Sequence, residues 1–155
     1  MTDDAGTEGT GTGTGDWAAR RRDAAAEQVA RLDRERASET EQARALVDEF
    51  VAAAKAAGLP VVPLTARAMN GRTRYRTGLT GWYLKRNGAV AVDEAGRYYL
   101  MSAPTSLAAK VTGASLRPSD PPLVVGRGGR DGESIPLAEL LALRLAAGAD
   151  DVWRP

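Results

Sequence analysis

Apolar positions crowd most densely into residues 81–102, GWYLKRNGAVAVDEAGRYYLMS, which read as three short strands joined by two tight turns. Asn87-Gly88 separates two apolar-rich runs. That dipeptide suits the positive φ values of a two-residue type I′ turn, the strongest short-range signal for a hairpin. A turn closed there sets Arg86 opposite Ala89, Leu84 opposite Ala91 and Tyr83 opposite Val92. The second reversal falls at Asp93-Glu94-Ala95-Gly96, with Gly96 as the left-handed residue that ends a type I turn in a bulge. In this register one face carries Tyr83, Lys85, Val90, Val92, Tyr98 and Leu100. The other carries Trp82, Leu84, Ala89, Ala91, Tyr99 and Met101. Both faces are largely apolar, so the sheet should be covered on both sides.

Upstream, the pattern changes to that of a helix. From Trp17 to Ala57 there is neither Gly nor Pro, Asp16 can cap the start, and Asp16–Arg20 and Glu27–Arg31 are spaced to support it. Gly58 and Pro60 stop it. Its second half sets Ala43, Leu46, Val47, Phe50, Val51 and Ala54 on one stripe, which should dock on the sheet. Its first half offers Val29 and Leu32 among many charges. A heptad drawn through Val29, Leu32, Arg36, Glu39, Ala43, Leu46 and Phe50 is interrupted by Arg36 and Glu39. A partner-binding coiled coil competes there with a solvated helix.

Residues 61–67 suit a strand, with Pro63 favouring an edge or a strand end. TRYR at 73–76 alternates like an exposed strand, after a turn at Asn70-Gly71. Residues 110–118 read as a strand interrupted by Gly113, residues 123–125 as a short buried strand, and residues 126–133 as a flexible loop. Ser134 or Ile135 caps a last helix with Pro136 in its first turn, Leu137, Leu140, Leu141 and Leu145 on one face, and Gly148 at its end. The expected fold is α+β. An antiparallel sheet of about five to six strands, centred on the meander 81–102, is packed by a long N-terminal helix and a short C-terminal helix. Residues 1–15 form a disordered Gly/Thr-rich tail, 16–42 a charged, solvent-exposed helix, 43–148 a single domain, and 149–155 a loose tail in which Trp153 can fold back.

Composition narrows the chemistry. The 155 residues contain neither cysteine nor histidine, which removes disulfides, thiolate chemistry and the commonest general base and metal ligand. The N-terminus lacks the features of a secretory signal, and no apolar run approaches a membrane span, so a cytoplasmic protein is expected. Alanine, glycine and arginine are abundant, as a GC-rich, bacterial genome would give.

Net charge is only +1, yet it is unevenly placed. Residues 51–92 carry Lys55, Arg67, Arg72, Arg74, Arg76, Lys85 and Arg86 and no acid. Arg72, Arg74 and Arg76 alternate and should project from one strand face, with Tyr75 opposite. Such a stripe can contact phosphates. It can equally be a solvated edge, or be neutralised by the acidic helix. Gly126 to Ser134, leading into a helix with Arg127 and Arg130, could cradle an anion on backbone N–H groups. Its spacing, however, fits neither the dinucleotide nor the triphosphate loop, and Asp131 and Glu133 would repel phosphate. The serines have no histidine to activate them, and the paired acids Asp93/Glu94, Asp131/Glu133 and Asp150/Asp151 sit in turns or tails.

The residues together suggest a non-catalytic cytoplasmic protein-interaction module with no cofactor and no metal. It would present a sheet edge and the basic strand, and would meet a protein partner or a second copy through the N-terminal helix. The alternative is binding of nucleic acid or another polyanion through the basic segment 67–86, with Arg72, Arg74, Arg76, Lys85 and Arg86 as contacts and Arg127 and Arg130 as additional anion or partner ligands. An enzyme with an unrecognised carboxylate-based site is the remote alternative.

Overall fold

The structure, a computed structural model, describes residues 12–126 and 133–155. Two compact units divide the chain, Met1–Ser38 and Glu39–Pro155. Helix α1 (Thr12–Ala56) supplies the described part of the first unit and the start of the second. The helix begins ahead of Asp16, whose carboxylate is taken by Arg20 instead of capping the first turn. Of the expected N-terminal tail, residues 1–11 lie outside the described residues. Residues 20–39 are exposed all round, including Val29 and Leu32. Arg21 stacks over Trp17, Arg31 pairs with Glu35 at 3.7 Å and Arg36 with Asp33 at 3.9 Å. Each such exposed pair adds about 0.3–0.5 kcal/mol to a helix that has little apolar surface to bury there.

In the second unit, β1 (Val62–Ala68), β2 (Arg74–Tyr83), β3 (Val90–Asp93), β4 (Tyr98–Leu100) and β5 (Ser102–Ala103) form one sheet in the order β4-β3-β2-β1-β5. Every pair is antiparallel except β1–β5. The fold is therefore α+β with a mostly antiparallel sheet built on a meander. TRYR and the start of GWYLKR belong to one strand, which bulges where Leu64 faces residues 77–79. Gly78 takes φ +71° there, and Thr77 Oγ1 donates to Leu64 O at 2.6 Å.

The Asn87-Gly88 reversal is present, but its register is one residue from the expected one. Trp82 faces Val92 and Tyr83 faces Ala91. Only Gly88 has positive φ, so the turn cannot be type I′. Gly88 N donates to Lys85 O at 3.0 Å, the closure of a type I turn ending in a glycine bulge, a three-residue connection. Asn87 keeps negative φ and uses its side-chain oxygen to accept from Ala89 N at 3.0 Å. The second turn forms on Gly96 (φ +82°) as expected, and Val90 faces Leu100 while Val92 faces Tyr98. The slip thus inverts β2 relative to β3 and leaves β3 and β4 aligned.

With that register, Trp82, Leu84, Val90, Val92 and Tyr98 share a face with Ala43, Val47, Phe50, Val51 and Ala54 of α1. Phe50 meets Trp82 edge-on with ring centroids 6.0 Å apart, and the indole N–H donates to Leu59 O at 3.1 Å. The other face gathers Val62, Leu64, Tyr83, Ala91, Tyr99 and Met101, with Trp153 packed against them. Asp93, buried in the second turn, accepts from Ala95 N, Arg97 N, Arg97 Nε and the Tyr99 hydroxyl. Burial and then this carboxylate push the Tyr99 phenol up, and the hydrogen bond to Asp93 raises Arg97.

Residue 101 joins the two ends of the sheet. Met101 N donates to Ala89 O at 2.9 Å, on the β3 side, and Met101 O accepts from Arg67 N at 2.8 Å, on the β1 side. Residues 98–103 thus serve as both first and last strand, so among the described residues the sheet offers no long free edge of the kind the sequence suggested as a docking surface. Ser119 bridges Tyr98 on the remaining side of β4.

Residues 107–112 are helix α2 (Leu107–Thr112), where a strand was expected from residue 110. Ser106 caps it by accepting from Ala109 N, and Gly113 ends it at φ +86°. β6 (Val124–Val125) pairs with β7 (Ile135–Pro136), and helix α3 (Leu137–Ala147) follows. Pro136 is therefore the residue before α3 and not part of its first turn. Leu137, Leu140 and Leu141 join the α1 core. No described helix is long and apolar enough to cross a membrane.

Candidate nucleic-acid interface

The β1–β2 hairpin turns its small and aromatic residues inward and its cations outward. Ala66 faces Tyr75, and both are buried with Ala68 and Ala103. The neighbouring pairs, Thr65 with Arg76 and Arg67 with Arg74, must then share the opposite face. Arg74 and Arg76 do alternate about Tyr75 as the sequence suggested. Arg72 precedes β2 in the turn, where its backbone N–H donates to Asn70 Oδ1 at 3.0 Å. Arg67, absent from the candidate set, completes the group because β1 sets it directly across from Arg74.

Two like charges directly opposite destabilise a strand pair. Among the described residues no carboxylate pairs with Arg67, Arg72, Arg74 or Arg76. Arg74 instead donates from Nη1 to Thr65 Oγ1 at 3.1 Å. Within the second unit, Arg44 pairs with Asp120, and Lys55 donates to Glu94 O at 3.0 Å.

Helix α2 holds β2 in place from both ends. Tyr75 Oη accepts from Ser106 N at 2.9 Å, and Ala114 N donates to Arg76 O at 2.8 Å. A side chain at Gly113 would collide with that carbonyl. Between the β2 bulge and the end of α2 lies a groove of about 580 Å³, bounded by Arg76, Thr77, Gly78, Thr112, Gly113, Ala114 and Ser115. Its position beside Arg76 gives the basic face a recess as well as a ridge.

No family model, curated protein or solved structure matches the chain.

Lys85 and Arg86 lie at the β2–β3 turn and not on the face with Arg67 and Arg74. Arg86 is engaged by Asp151. The two groups come close through Arg74, whose Nη2 lies 3.3 Å from the point a Cβ on Gly88 would occupy. Arg127 and Arg130 lie outside the described residues. In sequence they fall between β6 and β7, so β7 comes before α3, and the first N–H of α3 is donated to Leu123 O at 2.7 Å.

Arg144 has no place among the residues singled out from the sequence, whereas Trp153 folds back as the sequence allowed. Arg144 is only 2 % exposed, on the inner side of α3, and Trp153 lies against it. The spacing gave one signal: Arg144 follows Leu140 and Leu141 at helical intervals, on the apolar stripe.

Proposed function

We propose that the chain is a non-catalytic interaction module of the cytoplasm that holds a nucleic acid, or another polyanion, on the outer face of the β1–β2 hairpin. The observation that carries this is Arg67 directly across from Arg74, with Arg76 and Arg72 beside them and no paired carboxylate among the described residues. An arrangement that costs stability in the free protein is relieved by a ligand that brings negative charge. Guanidinium groups suit phosphate oxygens because they donate in a planar fork. The absence of histidine and cysteine supports a binding role over catalysis.

Salt dependence tests it. Binding to generic nucleic acid should weaken steeply as salt rises, with a logarithmic slope of about −0.7 to −0.9 per phosphate contact. Arg74→Ala with Arg76→Ala should flatten that slope by about 2. No measurable binding at low salt would sink the proposal.

A protein partner or second copy on residues 16–42 of α1 is the second reading. Val29 and Leu32 favour it, as apolar side chains exposed in an otherwise charged helix. Sedimentation of the full chain with Val29→Asp and Leu32→Asp tests it. A mass identical to the wild type and equal to one chain removes self-association.

A further inference from the structure

The C-terminal residues, expected to be loose, lie against the β2–β3 turn. Asp151 approaches the Arg86 guanidinium with both carboxylate oxygens, Oδ1 to Nη1 at 3.3 Å and Oδ2 to Nη2. That two-pronged contact is the geometry by which arginine also takes a phosphate. Two residues on, the Trp153 ring lies 4.9 Å from Arg86 Cζ and 4.6 Å from Arg144 Cζ. Flat rings stacked on guanidinium planes are how single-stranded nucleic acids seat their bases. Beyond it, Pro155 fills the space over Gly88, next to Arg74.

We infer that residues 151–155 are an intramolecular stand-in for a single-stranded nucleic acid. The Asp151 carboxylate occupies the place of a phosphate and the Trp153 ring the place of a base, so that release of the tail extends the basic face to Arg86 and Arg144. This rests on the polyanion reading of the β1–β2 face, since Arg74 is the residue that links the two.

The seat under the tail is made for more acceptors than the tail brings. Arg144 Nε and Nη1 are buried without an acceptor. The Trp153 indole N–H faces Asp151 closely enough to favour its charged form, yet falls short of a hydrogen bond, and no other acceptor meets it. Buried donors without an acceptor destabilise the packed state, so the closed tail is held less firmly than its contacts suggest. Burial pushes the Arg144 guanidinium down, against the pull of Asp151, while the Trp153 indole and then Arg86 hold Asp151 below the usual carboxylate range.

The test compares full-length chains by the anisotropy of a labelled oligothymidylate of about 12 nucleotides at low salt. The chains are wild type, Asp151→Asn with Trp153→Ala, the same pair with Arg86→Ala added, and Arg74→Ala with Arg76→Ala. The tail variant should bind about tenfold more tightly than wild type, and adding Arg86→Ala should abolish the gain. Gly88→Ala, which keeps every tail residue but displaces Pro155, should also tighten binding, and it replaces the tail variant should that chain fail to fold. Weaker binding by the Arg74/Arg76 variant alongside unchanged or weaker binding by the tail and Gly88 variants would overturn the inference and leave the polyanion reading standing. A set of chains none of which binds would overturn both.

Discussion

Replacement of Asp93 separates the geometry of the second turn from its charge. The carboxylate is 4 % exposed. Its Oδ1 accepts from Ala95 N at 3.0 Å and Arg97 N at 2.9 Å, and its Oδ2 from Arg97 Nε at 2.7 Å and Tyr99 Oη at 3.2 Å. Asparagine retains an oxygen for the two backbone donors, and Tyr99 can turn its hydroxyl to accept from the new amide. What is lost is the bond from Arg97, whose side chain is more than half exposed and can turn to water. Asp93→Asn should therefore cost about 1 kcal/mol. Alanine loses the Arg97 bond as well and leaves two turn N–H groups and the buried Tyr99 hydroxyl without their acceptor, at about 1 kcal/mol each, so Asp93→Ala should cost about 4 kcal/mol. Urea unfolding followed by circular dichroism resolves the difference, which amounts to a midpoint shift of about 1–2 M between the two variants. Equal losses would refute the reasoning, because they would mean that charge and not acceptor geometry holds the turn.

Arg67→Glu should raise stability by about 0.2–1 kcal/mol, because it turns a repulsive cross-strand pair into an attractive one, while it abolishes nucleic-acid binding. Urea midpoints and anisotropy on the same preparation check it, and a destabilised variant contradicts the assigned register. Gly88→Ala should cost about 1–2 kcal/mol at its left-handed φ of +70°, with added loss from the collision with Pro155. Thermal melts measure it, and a neutral effect would place the turn glycine elsewhere. Burial pushes the Tyr98 phenol up to about 12 from its ordinary 10.0. A raised phenol leaves stability intact below pH 10 and lowers it as pH climbs through 12, so alkaline unfolding should set in across that window, and Tyr98→Phe should lessen it. Tyrosinate absorbance that titrates wholly near pH 10 in the folded protein would contradict this.

Much of the architecture was legible because its signals are local. The apolar stripe of α1, the stop at Gly58, the two glycine turns and the stripe of α3 each act over a few residues. Register was not legible. Residues 82–84 and 90–92 are all buried, so alternation could not choose between inner and outer face. The choice fell to Asn87, which spends its side chain on Ala89 N and keeps negative φ. Helix α2 was hidden by its β-branched Val111 and Thr112 and its brevity, although Ser106 and Gly113 mark its ends. The parallel pairing of β5 with β1 joins residues far apart in sequence, and no local pattern announces it. In the candidate site, Arg74 and Arg76 were legible from their spacing. Arg67 emerged only with the pairing, and Arg144 with the packing of the C-terminal tail.

Because Met101 stitches β3 to β1, the strand it belongs to cannot fray from one margin. Lifting residues 98–103 severs both neighbours together. Amide protons at Arg67 and Met101 should exchange with solvent only when the whole second unit opens. A partner that works by adding a strand finds no vacancy along that seam, which leaves side-chain chemistry as the means of recognition there.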